Sequence, residues 1–226
     1  MKMIKHVNVT AALAAAGLAL TIGLPAGQAL AGIASTKHNL STSGTGNIKS
    51  DNDEICVFCH TPHDAIKNNN ITLWNHTLST QSYTTYTSPT MDNAPGAMGA
   101  VTAATATTSN LCLSCHDGTV ALNAMNNPSN NHLTTVMSGT NQTNGILNSG
   151  LSTNLGTDLS NDHPVNMTYD RTKDTGLKDL TGVTTVKLYS NTVQCGSCHD
   201  PHTSANTPFL RASMSGSNLC LICHDK

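Results

Sequence analysis

The chain has 226 residues and a formal charge of −2, and only 3% of it is aromatic: two Phe, one Trp and four Tyr. So little bulky apolar volume excludes an ordinary hydrophobic core, and taken alone the composition is that of a loop-rich or disordered polypeptide. Basic residues are scattered without a patch, so nucleic acid is not expected as a partner.

The first element is a leader. Lys2 and Lys5 precede an apolar run through Ala11 to Leu24, and small residues end in Ala29-Leu30-Ala31. This is the pattern of a secretory signal with an A-x-A-like cleavage site, so residues 1–31 are expected to be removed and the mature chain to start at Gly32. Gly17, Gly23 and Pro25 interrupt the run, which is short for a span, and no transmembrane segment is expected in the mature chain. Without Lys2 and Lys5, nine basic residues face thirteen acidic ones, and the mature chain is acidic.

All eight cysteines then fall into four copies of Cys-x-x-Cys-His: Cys56 to His60, Cys112 to His116, Cys195 to His199 and Cys220 to His224. Each reads as a c-type haem attachment site, in which two thiols bond one porphyrin and the adjacent His binds the iron. A disulfide framework needs no His after every second Cys. Zinc sites built from paired Cys-x-x-Cys leave the four trailing His unexplained. Four covalently bound haem c groups are therefore expected. They also resolve the compositional contradiction, because porphyrins can serve as the hydrophobic core that the side chains cannot supply.

The fold expected is mostly irregular coil, with short α and 3-10 helical turns around the haem motifs and little β, cored by haem. The motifs come as two pairs. Cys56 to His63 reads C-V-F-C-H-T-P-H, and Cys195 to His202 reads C-G-S-C-H-D-P-H; each is followed by Ser-Asn-Leu-Cys-Leu-x-Cys-His-Asp, at Ser109–Asp117 and Ser217–Asp225. Residues 32–226 are thus read as a single haem-cored unit of two paired repeats, about 32–125 and 160–226, joined by a loop-rich connection. Asn68–Asn70, Asn126–Asn131 and Asn141–Gly150 read as loops. Val101–Thr108 and Val183–Leu188 read as short β-branched strands.

The motif histidines His60, His116, His199 and His224 are the proximal iron ligands. For the distal side the mature chain offers His38, His63, His76, His132, His163 and His202, enough for bis-histidine ligation throughout, which favours low potentials. His63 and His202 lead: each lies three residues after a proximal His, behind a stiffening Pro, too close to reach the far face of the same haem but able to reach a neighbouring one. His76 follows Trp74, whose ring can pack on a porphyrin. His163 follows Asp162, a candidate acceptor for its Nδ1–H. His38 is the reserve and His132 reads as a solvated loop residue. Met91, Met98, Met125, Met137, Met167 and Met214 read as gap fillers.

The paired pattern resembles multihaem cytochromes with doubled CxxCH repeats. Together with His38-Asn39-Leu40-Ser41, Leu73-Trp74-Asn75-His76 and Asp162-His163-Pro164-Val165, it is similar to the extracellular tetrahaem cytochromes of metal-reducing bacteria, the OmcE-type filament subunits. The resemblance implies an electron-transfer protein rather than an enzyme, secreted to the outer surface and polymerised into a conductive nanowire. Electrons would hop along a continuous haem chain. It also implies an inter-subunit His ligand, at His63 in this chain, and other cytochromes, metal oxides or electrodes as partners. The alternatives are a monomeric periplasmic tetrahaem shuttle and a multihaem reductase; the reductase needs an open iron position that six spare histidines make unnecessary.

Overall fold

A chain without bulk has to fix its backbone by other means, and here polar side chains do so. The computed structural model describes residues 32–66, 73–99, 102, 105–129 and 132–225; the expected leader lies outside them. Irregular chain dominates, with short helical turns and strands of two or three residues. Asn39, Asn52 and Asn75 are fully buried. Asn39 Oδ1 accepts from the Ser41 amide at 3.1 Å and its hydroxyl at 2.6 Å, while Asn39 Nδ2 donates to the Ala34 carbonyl at 2.9 Å. Asn75 donates to the carbonyls of Val57 (2.6 Å) and Asn127 (3.0 Å) and accepts from the Asn127 amide (2.8 Å). Buried amides satisfied in this way replace the ladders that a regular fold would supply.

Helix α1 runs Thr108–His116. Thr107 ahead of it is extended, and its amide and hydroxyl both donate to Asn110 Oδ1, at 2.8 and 2.9 Å, which fixes the entry to the helix. The helix stops at Asp117, followed by Gly118 with φ of 68°, a left-handed conformation that glycine adopts without strain. Helix α2 is the single turn Cys195–Cys198, and α3, Asn218–Cys223, follows a 3-10 turn at Ser215–Ser217.

The strands are β1 (Ile48–Ser50), β2 (Thr84–Thr85), β3 (Met137–Gly139), β4 (Gln142–Thr143), β5 (Ile146–Leu147), β6 (Asp158–Leu159), β7 (Met167–Thr168) and β8 (Thr192–Val193). They pair only in twos: β1 with β3, β4 with β5 and β7 with β8 antiparallel, and β2 with β6 parallel. Of the two strands expected from β-branched composition, 183–188 forms none, and Thr108 at the end of the other opens α1, while residues 101, 103 and 104 of that stretch lie outside the described residues. Val186 spends its apolar surface in a cluster with Leu210, Ala212 and Leu219, without a partner strand.

Two more such clusters form, Tyr83 with Met98, Leu113 and Leu159, and Tyr169 with Leu177 and Val193, while Val57, Phe58, Leu122 and Leu147 are buried outside all three. Each cluster is too small to organise the chain by itself. The repeats are joined where α1 meets α2: the buried Ser109 hydroxyl donates to Gln194 Oε1 at 2.6 Å and accepts from the Cys195 amide at 3.0 Å. No helix among the described residues is long and apolar enough to cross a membrane.

Replacing Asn75 by Ala removes three side-chain hydrogen bonds and strands buried backbone groups; it is expected to cost about 3 kcal/mol, read by chemical denaturation of the haem-loaded protein. Leu133→Ala, at a side chain 72% exposed, is expected to stay within about 0.5 kcal/mol.

Candidate functional site

Sites one, three and four fold as tight turns closed on the carbonyl of the first motif cysteine. The amides of Cys59 and His60 both bond to the Cys56 carbonyl, at 3.1 and 2.8 Å. The His199 and His224 amides bond to the Cys195 and Cys220 carbonyls, each at 3.0 Å.

Three of the four turns are then closed by one and the same latch. The residue after the motif His donates to a carbonyl on a second segment; the motif His bridges the next residue of that segment; and the residue after that donates back to the carbonyl of the motif's second Cys. At site one the segment is Leu73-Trp74-Asn75, with Thr61 donating to Leu73 at 3.0 Å and Asn75 to Cys59 at 2.9 Å. At site three it is Phe209-Leu210-Arg211, with Asp200 donating to Phe209 and Arg211 to Cys198, both at 2.8 Å. At site four it is Gly176-Leu177-Lys178, with Asp225 donating to Gly176 and Lys178 to Cys223, both at 2.8 Å. Leu73 and Phe209 hold φ of 57° and 61°, a conformation bulky residues rarely take, and in both the strain sits where the latch turns. Site two is the exception: His116 ends α1 and its carbonyl accepts from Leu155 at 2.7 Å.

The thiols follow one another in space as they do in sequence. Burial, and then Cys59, push the Cys115 thiol up. Cys112 shares a hydrogen bond with Cys195, which raises the former and lowers the latter. Burial, and then Cys223, push Cys198 up to about 11. Consecutive sites are therefore neighbours: one beside two, two beside three, and three beside four.

Histidine rings face each other at three of the sites. His60 and His202 have ring centres 6.1 Å apart, His116 and His38 6.1 Å, and His224 and His163 6.4 Å. A metal–imidazole bond of about 2 Å on either side, plus the radius of each ring, puts the ring centres of two axial ligands roughly 6 Å apart. The ring nitrogens fit the same reading. Nδ1 of His116, His163 and His199 lies 2.7, 3.0 and 3.0 Å from the carbonyls of Thr153, Pro164 and Pro208, and Nδ1 of His202 lies 3.3 Å from Asp200 Oδ1. That fixes the tautomer and leaves Nε2 for iron. Burial first, then the neighbouring His116, push His38 down to about 4, keeping its imidazole in the neutral form that binds metal. The Trp74 indole nitrogen and His38 Nδ1 are buried without a hydrogen bond, and Trp74 stands edge-on to His60. A cavity of about 210 Å³ is lined by His163, His224, Met91 and Met167, and a cleft of about 990 Å³ by Cys56, His60, His63 and Asn127. Donor set, spacing and orphaned donors all suit covalently held haem.

Of the distal ligands expected from sequence, the structure brings His202 and His163 opposite motif histidines and adds the reserve, His38. His76 lies apart from these pairs. It is fully buried, with Nδ1 3.0 Å from the Thr77 carbonyl and 3.1 Å from Ser114 Oγ and Nε2 3.0 Å from the Ala121 carbonyl. Its ring thus ties α1 to the chain around Ala121, and its Nε2 also lies 3.5 Å from Cys115 Sγ of site two. The Asp162 acceptor expected for His163 is replaced by the carbonyl of Pro164. His63 is exposed, its carbonyl fixed by Thr61 Oγ1 and Asn127 Nδ2, each at 2.8 Å. His132 is paired with Asp53 at 2.9 Å. Among the described residues no ring faces His199. Met91 and Met167 line the His163–His224 cavity, consistent with gap filling, whereas Met214 is 52% exposed.

Compared with known proteins, residues 190–226 match the family model of the doubled CXXCH motif. No curated protein matches the chain. The match supports a protein of the multihaem c-type cytochrome kind. Covalent haem c is its cofactor and electron transfer its class of function.

His38→Ala, His163→Ala and His202→Ala are each expected to convert one low-spin haem to high spin in the optical spectrum, whereas His76→Ala lowers stability and leaves the spin states unchanged. The ring planes stand at 80° in the His38–His116 pair and 21° in the His60–His202 pair. Frozen-solution EPR is therefore expected to contain both a large-g, strongly anisotropic signal and an ordinary rhombic one.

Proposed function

We propose that this is an electron-transfer protein that carries four haem c groups in single file, is exported, and polymerises outside the cell into a conducting filament. The observation that supports it best is the unequal pairing of histidines. Among the described residues, three motif histidines stand beside a partner ring of the same chain and His199 beside none, while His63 is exposed with neither a neighbouring ring nor an ion pair. His63 of a second copy is thus the natural distal ligand for His199. Because a donor on one copy and an acceptor on the next make a head-to-tail contact, repetition gives an open chain of subunits wherever the rotation between copies does not close into a ring.

The haems, when bound, supply the one-electron redox chemistry. The chain does the rest. The motif cysteines would fix each porphyrin covalently, with His60, His116, His199 and His224 as iron ligands. His202, His38 and His163 would supply a second imidazole at sites one, two and four. Two imidazoles per iron shut out water and small ligands, which makes the protein a conductor rather than an enzyme. The row of attachment loops suits it to pass electrons between other cytochromes and extracellular acceptors such as metal oxides or electrodes.

Pyridine haemochrome analysis is expected to return four haems per mature chain. His63→Ala is expected to abolish filaments in electron micrographs of secreted material and to leave one haem per monomer high-spin, while His132→Ala leaves filaments intact. Normal filaments from His63→Ala protein would sink this mode of assembly.

A further inference from the structure

Three of the four axial histidines whose Nδ1 partner is seen bond to a backbone carbonyl; His202 alone turns to a carboxylate. Asp200 Oδ1 lies 3.3 Å from His202 Nδ1 and accepts the His202 amide at 3.0 Å. Its other oxygen is held by Arg211 Nη1 at 3.1 Å, and Arg211 Nε donates to the Gly196 carbonyl, inside the site-three loop, at 2.8 Å. The Asp200 and Arg211 side chains are only 28% and 20% exposed, so solvent screens this pair less than a surface one.

We propose that Asp200 and Arg211 are positioning residues that set the redox potential of site one, with the carboxylate making His202 the strongest donor among these axial ligands. A carboxylate draws the Nδ1 proton more strongly than a carbonyl does and raises the basicity of the ligating nitrogen. A more basic axial ligand favours ferric over ferrous iron, so the potential of that haem falls. Arg211 competes for the charge of the same carboxylate and limits the effect. No net reaction occurs; only the ferric/ferrous balance shifts. The potential of site one is thereby lowered, and the brake on it is anchored in the loop of site three.

The proposal rests on ligation of site one by His60 and His202, and the test separates the two. In haem-loaded protein, His202→Ala first checks ligation: loss of one low-spin haem is expected, and an unchanged spectrum would remove the ligand reading itself. Potentiometric titration followed by EPR then compares Asp200→Asn and Arg211→Gln with the parent. The expected result is an upward shift of the site-one potential in Asp200→Asn and a downward shift in Arg211→Gln, with haem content and spin states unchanged. If both variants leave site one where it was, or shift it in the same direction, the pair is only structural and the proposal is overturned. A site-three shift as large as that of site one, expected from loss of a nearby charge alone because Asp200 follows His199 directly, overturns it as well. Should Asp200→Asn fail to load haem, the sign in Arg211→Gln decides.

Discussion

Two imidazoles can share one metal only if their ring centres stand roughly 6 Å apart, and a chain this short of apolar side chains must reach that spacing through backbone and amide hydrogen bonds. The repeated latch is how it does so. It fixes the main chain on both sides of a motif histidine, so that the imidazole leaves the turn in a set direction. Buried asparagines then fix the second segment: Asn75 belongs to the latch of site one, and Asn39 follows His38 directly. Rings brought in from distant parts of the chain thus meet at 6.1 to 6.4 Å with no helix bundle or sheet to align them.

Much of this could be read from the residues. The attachment sites are spelled out by spacing, because two thiols and an imidazole must serve one porphyrin, and the low aromatic content correctly pointed to an irregular fold. The ranking of distal histidines was less legible. His38 and His76 have similar local signals, a polar neighbour with a buried asparagine beside it. What separates them is tertiary. Residues 38 and 116 are brought together by contacts distant in sequence, while His76 meets the carbonyls of Thr77 and Ala121 together with Ser114 and Cys115 of the second motif. The latch escaped notice for a related reason. Its second segment lies after the motif at sites one and three but before it at site four, and Leu73-Trp74-Asn75, Phe209-Leu210-Arg211 and Gly176-Leu177-Lys178 have no residue in common. Backbone bonding makes them equivalent, and backbone bonding leaves little trace in side-chain identity. The β-branched run 183–188 misled for the opposite reason: its side chains suit a strand, but no second strand lies beside it.

The two repeats are duplicated in sequence but interlocked in space. Ser109 and Gln194 join their helices in a buried contact, and Cys112 meets Cys195. His202, from the second repeat, faces His60 in the first. One motif histidine of the first repeat is thus paired with a ring from the second.

That exchange also dictates a timetable. Under the ligation and export proposed above, a chain threaded through a membrane from its N-terminus delivers His38 before His116, so the second site has both rings as soon as its own motif emerges. The fourth site is likewise finished at once, since His163 precedes His224. The first site, although earliest to appear, has to wait for residue 202. A polypeptide stalled short of that point would hold a closed second centre beside a first one still open to oxygen and other small molecules.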